Sequence, residues 1–299
     1  PIKYISPVNE PQVSWGGDDV YQEGCHYETE ELFKLYKLFA KSIKARGLDV
    51  KLSMCEVSKI TSKTFDYLKY VYNDPDLREV LGTYTYHSYC SDINYFIKSW
   101  WGRYIKKYPG VIYDMSEWCE LPVTMSNKST RSALFMARVM AQDMFISNAS
   151  FWSAWVAVSE GDENGDGLII ANHDCSEYYV AQRYYAMAHF SKFVPEGSRL
   201  ISCKKDVNDR FSSMSREKLE NYISFRTNTA AFLTPDGKIV LVIVNGGKEH
   251  TFSLSGIEGR DHLTTYTTDG NRKVELTYDG AYQQTLTIPA YSITTAIFE

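Results

Sequence analysis

Two periodicities divide the chain. Through roughly the first two thirds, apolar strand-like runs at about 2–8, 50–55, 81–87, 110–116 and 149–158 alternate with segments whose apolar residues recur at helical spacing. The clearest such segment runs from Glu30 to Arg46. Leu32, Leu35, Tyr36, Phe39 and Ile43 form one stripe, Thr29 is placed to cap the start, and Gly47 stands just past the end. Further helices are expected at about 61–72, 92–107, 129–146 and 176–193. Repeated strand–helix units predict a parallel sheet with helices packed outside it.

The pattern changes near Pro195-Glu196-Gly197. Beyond it, short alternating strands are expected at Tyr222–Leu233, Lys238–Val244, Thr251–Leu254, His262–Thr267 and Thr285–Phe298. Turns are read at Pro235-Asp236-Gly237, Asp269-Gly270-Asn271 and Asp279-Gly280. The expected organisation is an α/β catalytic part at 1–197 followed by an all-β sandwich at 198–299. Five strand–helix units do not close a (β/α)8 barrel, which needs eight units and typically about 250 residues. Pro1-Ile2-Lys3-Tyr4-Ile5 opens like the interior of a strand, so three units are expected to precede it, and the five seen here to be strands 4 to 8.

Composition narrows the partners. A formal charge of −5 with no basic stripe argues against nucleic acid. No apolar run approaches the ~20 residues of a membrane span. Aromatic residues stand out, with 23 Tyr, 14 Phe and 6 Trp. Trp15, Trp118, Trp152 and Trp155 all fall in or just after the early strands, whereas Trp100 and Trp101 belong to a helix. Flat aromatic rings match the apolar faces of sugars, so clustered Trp in a cleft suits an oligo- or polysaccharide. The six cysteines, at 25, 55, 90, 119, 175 and 203, match no zinc spacing. They are either free thiols or disulfides of an exported protein, secreted or periplasmic. Oligomeric state leaves no mark on the sequence.

Two carboxylates carry the chemistry. Ile5-Ser6-Pro7-Val8-Asn9-Glu10-Pro11 sets an Asn-Glu pair at the C-terminal end of a strand, and Val111-Ile112-Tyr113-Asp114-Met115-Ser116-Glu117-Trp118 sets a second Glu likewise. Active residues of α/β barrels come from those strand ends. Two facing carboxyl groups suit glycosidic cleavage, one protonating the leaving oxygen and the other attacking the anomeric carbon. Asp162-Glu163-Asn164-Gly165-Asp166-Gly167 imitates half of a calcium loop. His173 stands where the twelfth-position Glu should be, and the preceding flank reads as a strand, so the segment is read as an acidic turn. No metal site is expected.

Asn9-Glu10-Pro11 and Ser116-Glu117-Trp118 resemble glycoside hydrolase clan A. The run from Tyr184 to Gly197 resembles the last barrel helix of glycoside hydrolase family 30 leading into that family's sandwich, and Phe151-Trp152-Ser153-Ala154-Trp155 resembles its eighth strand. The resemblance implies a (β/α)8 barrel fused to a β-sandwich, retaining chemistry and no cofactor. It makes Glu10 the acid/base, Glu117 the nucleophile and Asn9 the partner of a sugar 2-hydroxyl. His87 and Tyr89, in Tyr86-His87-Ser88-Tyr89, should orient Glu117 or line the subsite, although His87 also reads as a satisfied core histidine. Trp155 is the expected sugar platform, with Trp15 and Trp118 as further aromatic contacts. Glu56 is either a hydroxyl partner or a surface carboxylate. Gln12 and Gln22-Glu23-Gly24-Cys25 resemble the endo-β-1,6-galactanase branch; relatives act on xylan, β-1,6-glucan or glucosylceramide. A non-catalytic carbohydrate-binding protein on the same scaffold is the competing expectation.

Overall fold

The computed structural model describes residues 1–15, 23–92, 95–121, 125–161, 165–203, 227–257 and 259–299. In chain order these hold β1 (Tyr4–Ile5), α1 (Thr29–Ala45), β2 (Lys51–Val57), α2 (Ser62–Asn73), α3 (Pro75–Val80), β3 (Leu81–His87), α4 (Tyr95–Tyr104), β4 (Tyr113–Glu117), α5 (Thr130–Phe145) and β5 (Ala149–Trp152). There follow β6 (Val158–Glu160), β7 (Ile169–Ala171), β8 (Tyr178–Val180), α6 (Gln182–Ser191), β9 (Arg199–Ile201), β10 (Thr227–Leu233), β11 (Ile239–Asn245), β12 (His250–Ser253), β13 (His262–Thr268), β14 (Glu275–Ala281), β15 (Thr285–Ile288) and β16 (Ser292–Phe298). The chain divides into two compact units, 1–118 with 146–153, and 119–145 with 154–299.

The first unit is built on a five-stranded sheet in the order β1-β2-β3-β4-β5, every pair parallel. The five expected strands are thus consecutive neighbours. Buried on both faces, β3 alternates by chemistry instead of by burial. Tyr84 and Tyr86 project to one side and Thr83, Thr85 and His87 to the other, all buried. The tyrosine side packs on helices: Trp101 of α4 lies within 6 Å, centroid to centroid, of Tyr84, Tyr86 and Tyr113. A side chain at Gly102 would collide with the Ile146 carbonyl, so only glycine lets α4 press this closely on the chain entering β5. α1 begins one residue earlier than a Thr29 cap would have it. Glu28 is the N-cap, and its N–H donates to the Glu31 carboxylate. At the sheet margins β1 pairs only with β2 and β5 only with β4 among the described residues, leaving Ile2 74% and Phe151 55% exposed.

The second unit contains the sandwich. A six-stranded antiparallel sheet, β14-β13-β16-β11-β10-β9, faces the pair β12-β15. Ile243, Leu263, Leu286, Ile288, Ala296 and Phe298 form the core between them. The expected strand over Thr285–Phe298 is two strands, because Pro289 has no N–H for the ladder and Tyr291 adopts a left-handed φ of 48°. The turn expected at Asp279-Gly280 lies instead inside β14, where Gly280 pairs with Leu263. The helix expected over 176–193 starts at Gln182, since Tyr178-Tyr179-Val180 pair antiparallel with β7 in a small sheet β6-β7-β8. The start of the expected Tyr222–Leu233 strand lies outside the described residues, as do residues 162–164 of the acidic turn; His173 pairs with Glu160 at 2.9 Å.

Within this unit, α6 is pinned to the sandwich by His189. The Thr295 hydroxyl donates to the His189 carbonyl and so is free to accept from Nδ1 at 2.7 Å. Thr268 accepts from the Val274 N–H and is placed to donate to Nε2 at 2.8 Å. A neutral ring satisfies both contacts, and burial pushes its pKa down to about 3. Below the unfolded value of about 6.5 the unfolded chain binds a proton that the folded one refuses. Stability contributed by this site is therefore full above about pH 6.5 and lost as pH falls toward 3, at about 1.4 kcal/mol per pH unit. Urea unfolding of the sandwich unit at pH 7 and pH 5 should show that loss, and His189→Asn should flatten it. An equally steep loss in the variant would remove His189 as its cause.

Candidate active site

The ends of the parallel strands gather the carboxylates, and irregular backbone aims them. In the regular part of β2, Leu52 and Met54 lie on the helix side and Ser53 on the Thr83 side, where the two hydroxyls bond at 3.1 Å. Strict alternation would send Glu56 to the helix side. Instead Cys55 and Glu56 both take left-handed φ values, 88° and 43°, and the β2–β3 register shifts between Met54 and Val57. Such a bulge re-aims side chains. Cys55 turns toward the helices, its N–H donating to the Tyr36 hydroxyl at 2.7 Å, and Glu56 turns toward His87. Burial pushes the Cys55 thiol far up, leaving it protonated and inert. A second register shift, between Tyr86 and His87, sets His87 opposite Glu117.

Glu10 follows β1 in a tight turn with φ 48°, and its N–H donates to the Glu56 carbonyl at 2.9 Å. Its carboxylate is 3% exposed and has two partners. Oε1 meets Nδ1 of His87 at 2.9 Å, and Oε2 accepts from the Trp15 indole at 2.5 Å. His87, 1% exposed, sits among three carboxylates: Nδ1 is also 3.7 Å from Glu117 Oε1, and Nε2 is 3.4 Å from Glu56 Oε2. Burial opposes charge on the ring, but the hydrogen bonds to Glu10 and Glu56, with the charge of Glu117, outweigh it and lift His87 to about 9. At neutral pH it is an imidazolium with both nitrogens donating. Glu117 accepts from the Tyr89 hydroxyl at 3.1 Å. Burial lifts Glu117 above the ordinary carboxylate range, opposed by the charge of His87 and the bond from Tyr89.

Six of the expected residues therefore converge: Glu10, Trp15, Glu56, His87, Tyr89 and Glu117. Three differ from their sequence reading. Glu56 is buried and not a surface carboxylate. Trp15 bonds Glu10 through its indole N–H, a contact not foreseen. His87 bonds Glu10 more closely than Glu117, leaving Tyr89 as donor to the latter. Trp118 is also buried, its indole donating to Asp92 at 3.1 Å and its ring 6.0 Å from Trp152, so that ring is engaged in packing. Asn9 is exposed beside Glu10. Trp155 belongs to the second unit and is 51% exposed. Ser116 escaped the sequence reading; its hydroxyl donates to Glu56 Oε2 at 2.5 Å.

One oxygen of Glu10, one of Glu117 and a ring nitrogen of His87 lie within 4.8 Å of one another, a spacing a metal ion could bridge. The imidazolium already supplies the positive charge there, and a metal would have to displace its proton. All six cysteines are free thiols. No helix among the described residues is long and apolar enough to cross a membrane.

Residues 1–170 match the family model described as O-Glycosyl hydrolase family 30, and residues 224–296 match the glycosyl hydrolase family 30 beta sandwich domain. The chain belongs to glycoside hydrolase family 30. This family 30 chain superposes on a conserved exported protein from Bacteroides fragilis with a TM-score of 0.78 at 22% identity, over 99% of its own length and 65% of that protein's. On a family 30 endoxylanase from Clostridium papyrosolvens the TM-score is 0.70 at 19% identity, covering 99% and 65%. Over 102 residues it is 30% identical to a Caenorhabditis elegans protein provisionally named glucosylceramidase 1, covering 32% of this chain and 17% of that one. The family 30 chain thus spans about two thirds of the length of these structural relatives, and its parallel sheet with helices followed by an antiparallel β-sandwich matches that part of their barrel-plus-sandwich fold.

Proposed function

We propose that this chain carries the catalytic carboxylates of a retaining glycosidase acting on a β-linked polysaccharide, with Glu117 as nucleophile and Glu10 as acid/base. One observation supports this reading above the others: oxygens of the two carboxylates approach within 4.8 Å. So close an approach of nearest oxygens suits the closely set carboxyl pair of retaining enzymes, about 5–5.5 Å between the groups, better than the wider pair, about 6.5–9.5 Å, of inverting ones. In the first step Glu117 attacks the anomeric carbon while Glu10 relays to the departing oxygen the proton it shares with the His87 imidazolium, 2.9 Å from its Oε1. A glycosyl ester on Glu117 results. In the second step Glu10 takes a proton from water, which displaces Glu117 and restores the original configuration. Tyr89, bonded to Glu117, holds the nucleophile in place. Asn9, exposed beside Glu10, is assigned to the sugar 2-hydroxyl.

The substrate we assign is β-1,6-galactan, on the strength of Gln12 and the Gln22–Cys25 segment, of which Gln22 lies outside the described residues. Export, as in the Bacteroides fragilis relative, belongs to the same reading. Incubating the full-length protein with β-1,6-galactan, xylan, β-1,6-glucan and glucosylceramide tests it. The expected result is oligosaccharide release from galactan, with the new reducing end first appearing as the β anomer by NMR. Turnover of xylan or glucosylceramide with galactan untouched would overturn the substrate, and a first-formed α anomer would overturn the retaining mechanism. Binding of galactan without any hydrolysis would favour a carbohydrate-binding role.

A further inference from the structure

We propose that Glu56 is a positioning residue of this site, fixing His87 with its carboxylate and Glu10 with its main-chain carbonyl, and not a contact to the sugar. The proposal rests on the glycosidase reading above and adds to it how the two catalytic carboxylates are held. Glu56 touches three strand ends. Its carbonyl accepts from the Glu10 N–H at 2.9 Å, its Oε2 lies 3.4 Å from His87 Nε2, and the same oxygen accepts from Ser116 beside Glu117. His87 then reaches Glu10 with its other nitrogen. A carboxylate on each side of an imidazole fixes both the orientation of the ring and its proton count, since each nitrogen must donate.

The backbone supports a dedicated role. Two adjacent non-glycine residues in left-handed conformation are costly, and they persist where the surroundings over-determine them. Here they turn a carboxylate that regular pleating would send among the helices into the cluster with His87. The groups that bear electrostatically on Glu56 are Cys55 beside it on β2, His87 on β3, Glu117 and Asp114 on β4, and Tyr36 on α1. Of these only His87 carries positive charge. Replacing Glu56 with a neutral isostere removes one of the two hydrogen-bonded anions holding His87 protonated, so its titration must move down. Above the new midpoint His87 has one N–H to share between Glu10 and residue 56. Glu10 then loses its fixed partner.

The test is Glu56→Gln in the full-length protein, with His87 followed by nitrogen-15 NMR and kinetics on the substrate found active. The His87 midpoint should fall by at least about one pH unit. kcat should drop about 10- to 100-fold with KM within about twofold, the signature of displaced reacting groups. The alkaline limb of activity should move to lower pH with the His87 midpoint. Glu56→Asp, which keeps the charge, should recover part of both; should the Gln variant not fold, the Asp variant alone must show reduced kcat at unchanged KM. A raised KM with unmoved His87 midpoint would overturn the proposal and make Glu56 a sugar ligand. If the wild-type protein hydrolyses no β-glycan, the glycosidase reading falls while the His87 titration still decides whether Glu56 holds it.

Discussion

Glu117→Ala should lose turnover of every glycoside by at least about 10⁴-fold, because it removes the atom that forms the covalent bond. No leaving group rescues it, since both chemical steps pass through that carboxylate. Azide should restore activity by occupying the vacated space and attacking the anomeric carbon directly, giving a glycosyl azide of inverted configuration. Glu10→Ala should fail differently. General acid assistance is worth about 10²–10⁴-fold, and a good leaving group such as dinitrophenolate departs without it. Glycosylation of such substrates should survive, deglycosylation should become slow, and azide should speed that second step to give a product of retained configuration. The stereochemistry of the two azide products decides the assignment. Retained product from Glu117→Ala with inverted product from Glu10→Ala would mean the roles are exchanged.

The second large effect belongs to the helix side of the sheet. Trp101 is fully buried, with Phe65 at 5.4 Å, Tyr84 and Tyr113 at 5.7 Å and Tyr86 at 5.9 Å between ring centroids. Trp101→Ala empties the centre of this group and should cost about 3–5 kcal/mol, a large share of the roughly 5–15 kcal/mol that holds a typical domain together. Its neighbour Trp100 is exposed and keeps one close ring contact, with Phe65 at 4.6 Å. Trp100→Ala should cost about 1 kcal/mol. Urea unfolding of the two variants side by side measures the contrast. Equal losses would show that the aromatic group is not the core of the first unit.

The sequence disclosed those features that a single residue's neighbours determine. The α1 stripe and the alternation of strands with helices were visible because apolar spacing at helical period is a property of ten or more residues at once. The sheet β6-β7-β8 was not, since strands of three residues carry no measurable period and Tyr178-Tyr179-Val180 adjoin a genuine helix. Glu10 and Glu117 were legible because each ends a strand beside a recognisable neighbour. Glu56 was ambiguous for a physical reason: its side is set by the φ values of Cys55 and of Glu56 itself, and nothing in the residue types announces two left-handed turns in a row. The Trp15 bond to Glu10 was hidden likewise, because it joins a loop side chain to a strand end across a tight turn.

The margins of the parallel sheet bear on how these residues behave in a test tube. Among the described residues, β1 and β5 each present a line of main-chain donors and acceptors flanked by Ile2, Tyr4, Ile5 and Phe151, all at least 36% exposed. An apolar strand with one unsatisfied side is a template for another strand. Left bare, the two margins would let one molecule's β5 add to the next molecule's β1, each junction recreating the one after it. Such growth has no natural end. Light scattering would then record particles whose size rises with protein concentration and falls with mild denaturant, even while every carboxylate at the strand ends is correctly placed.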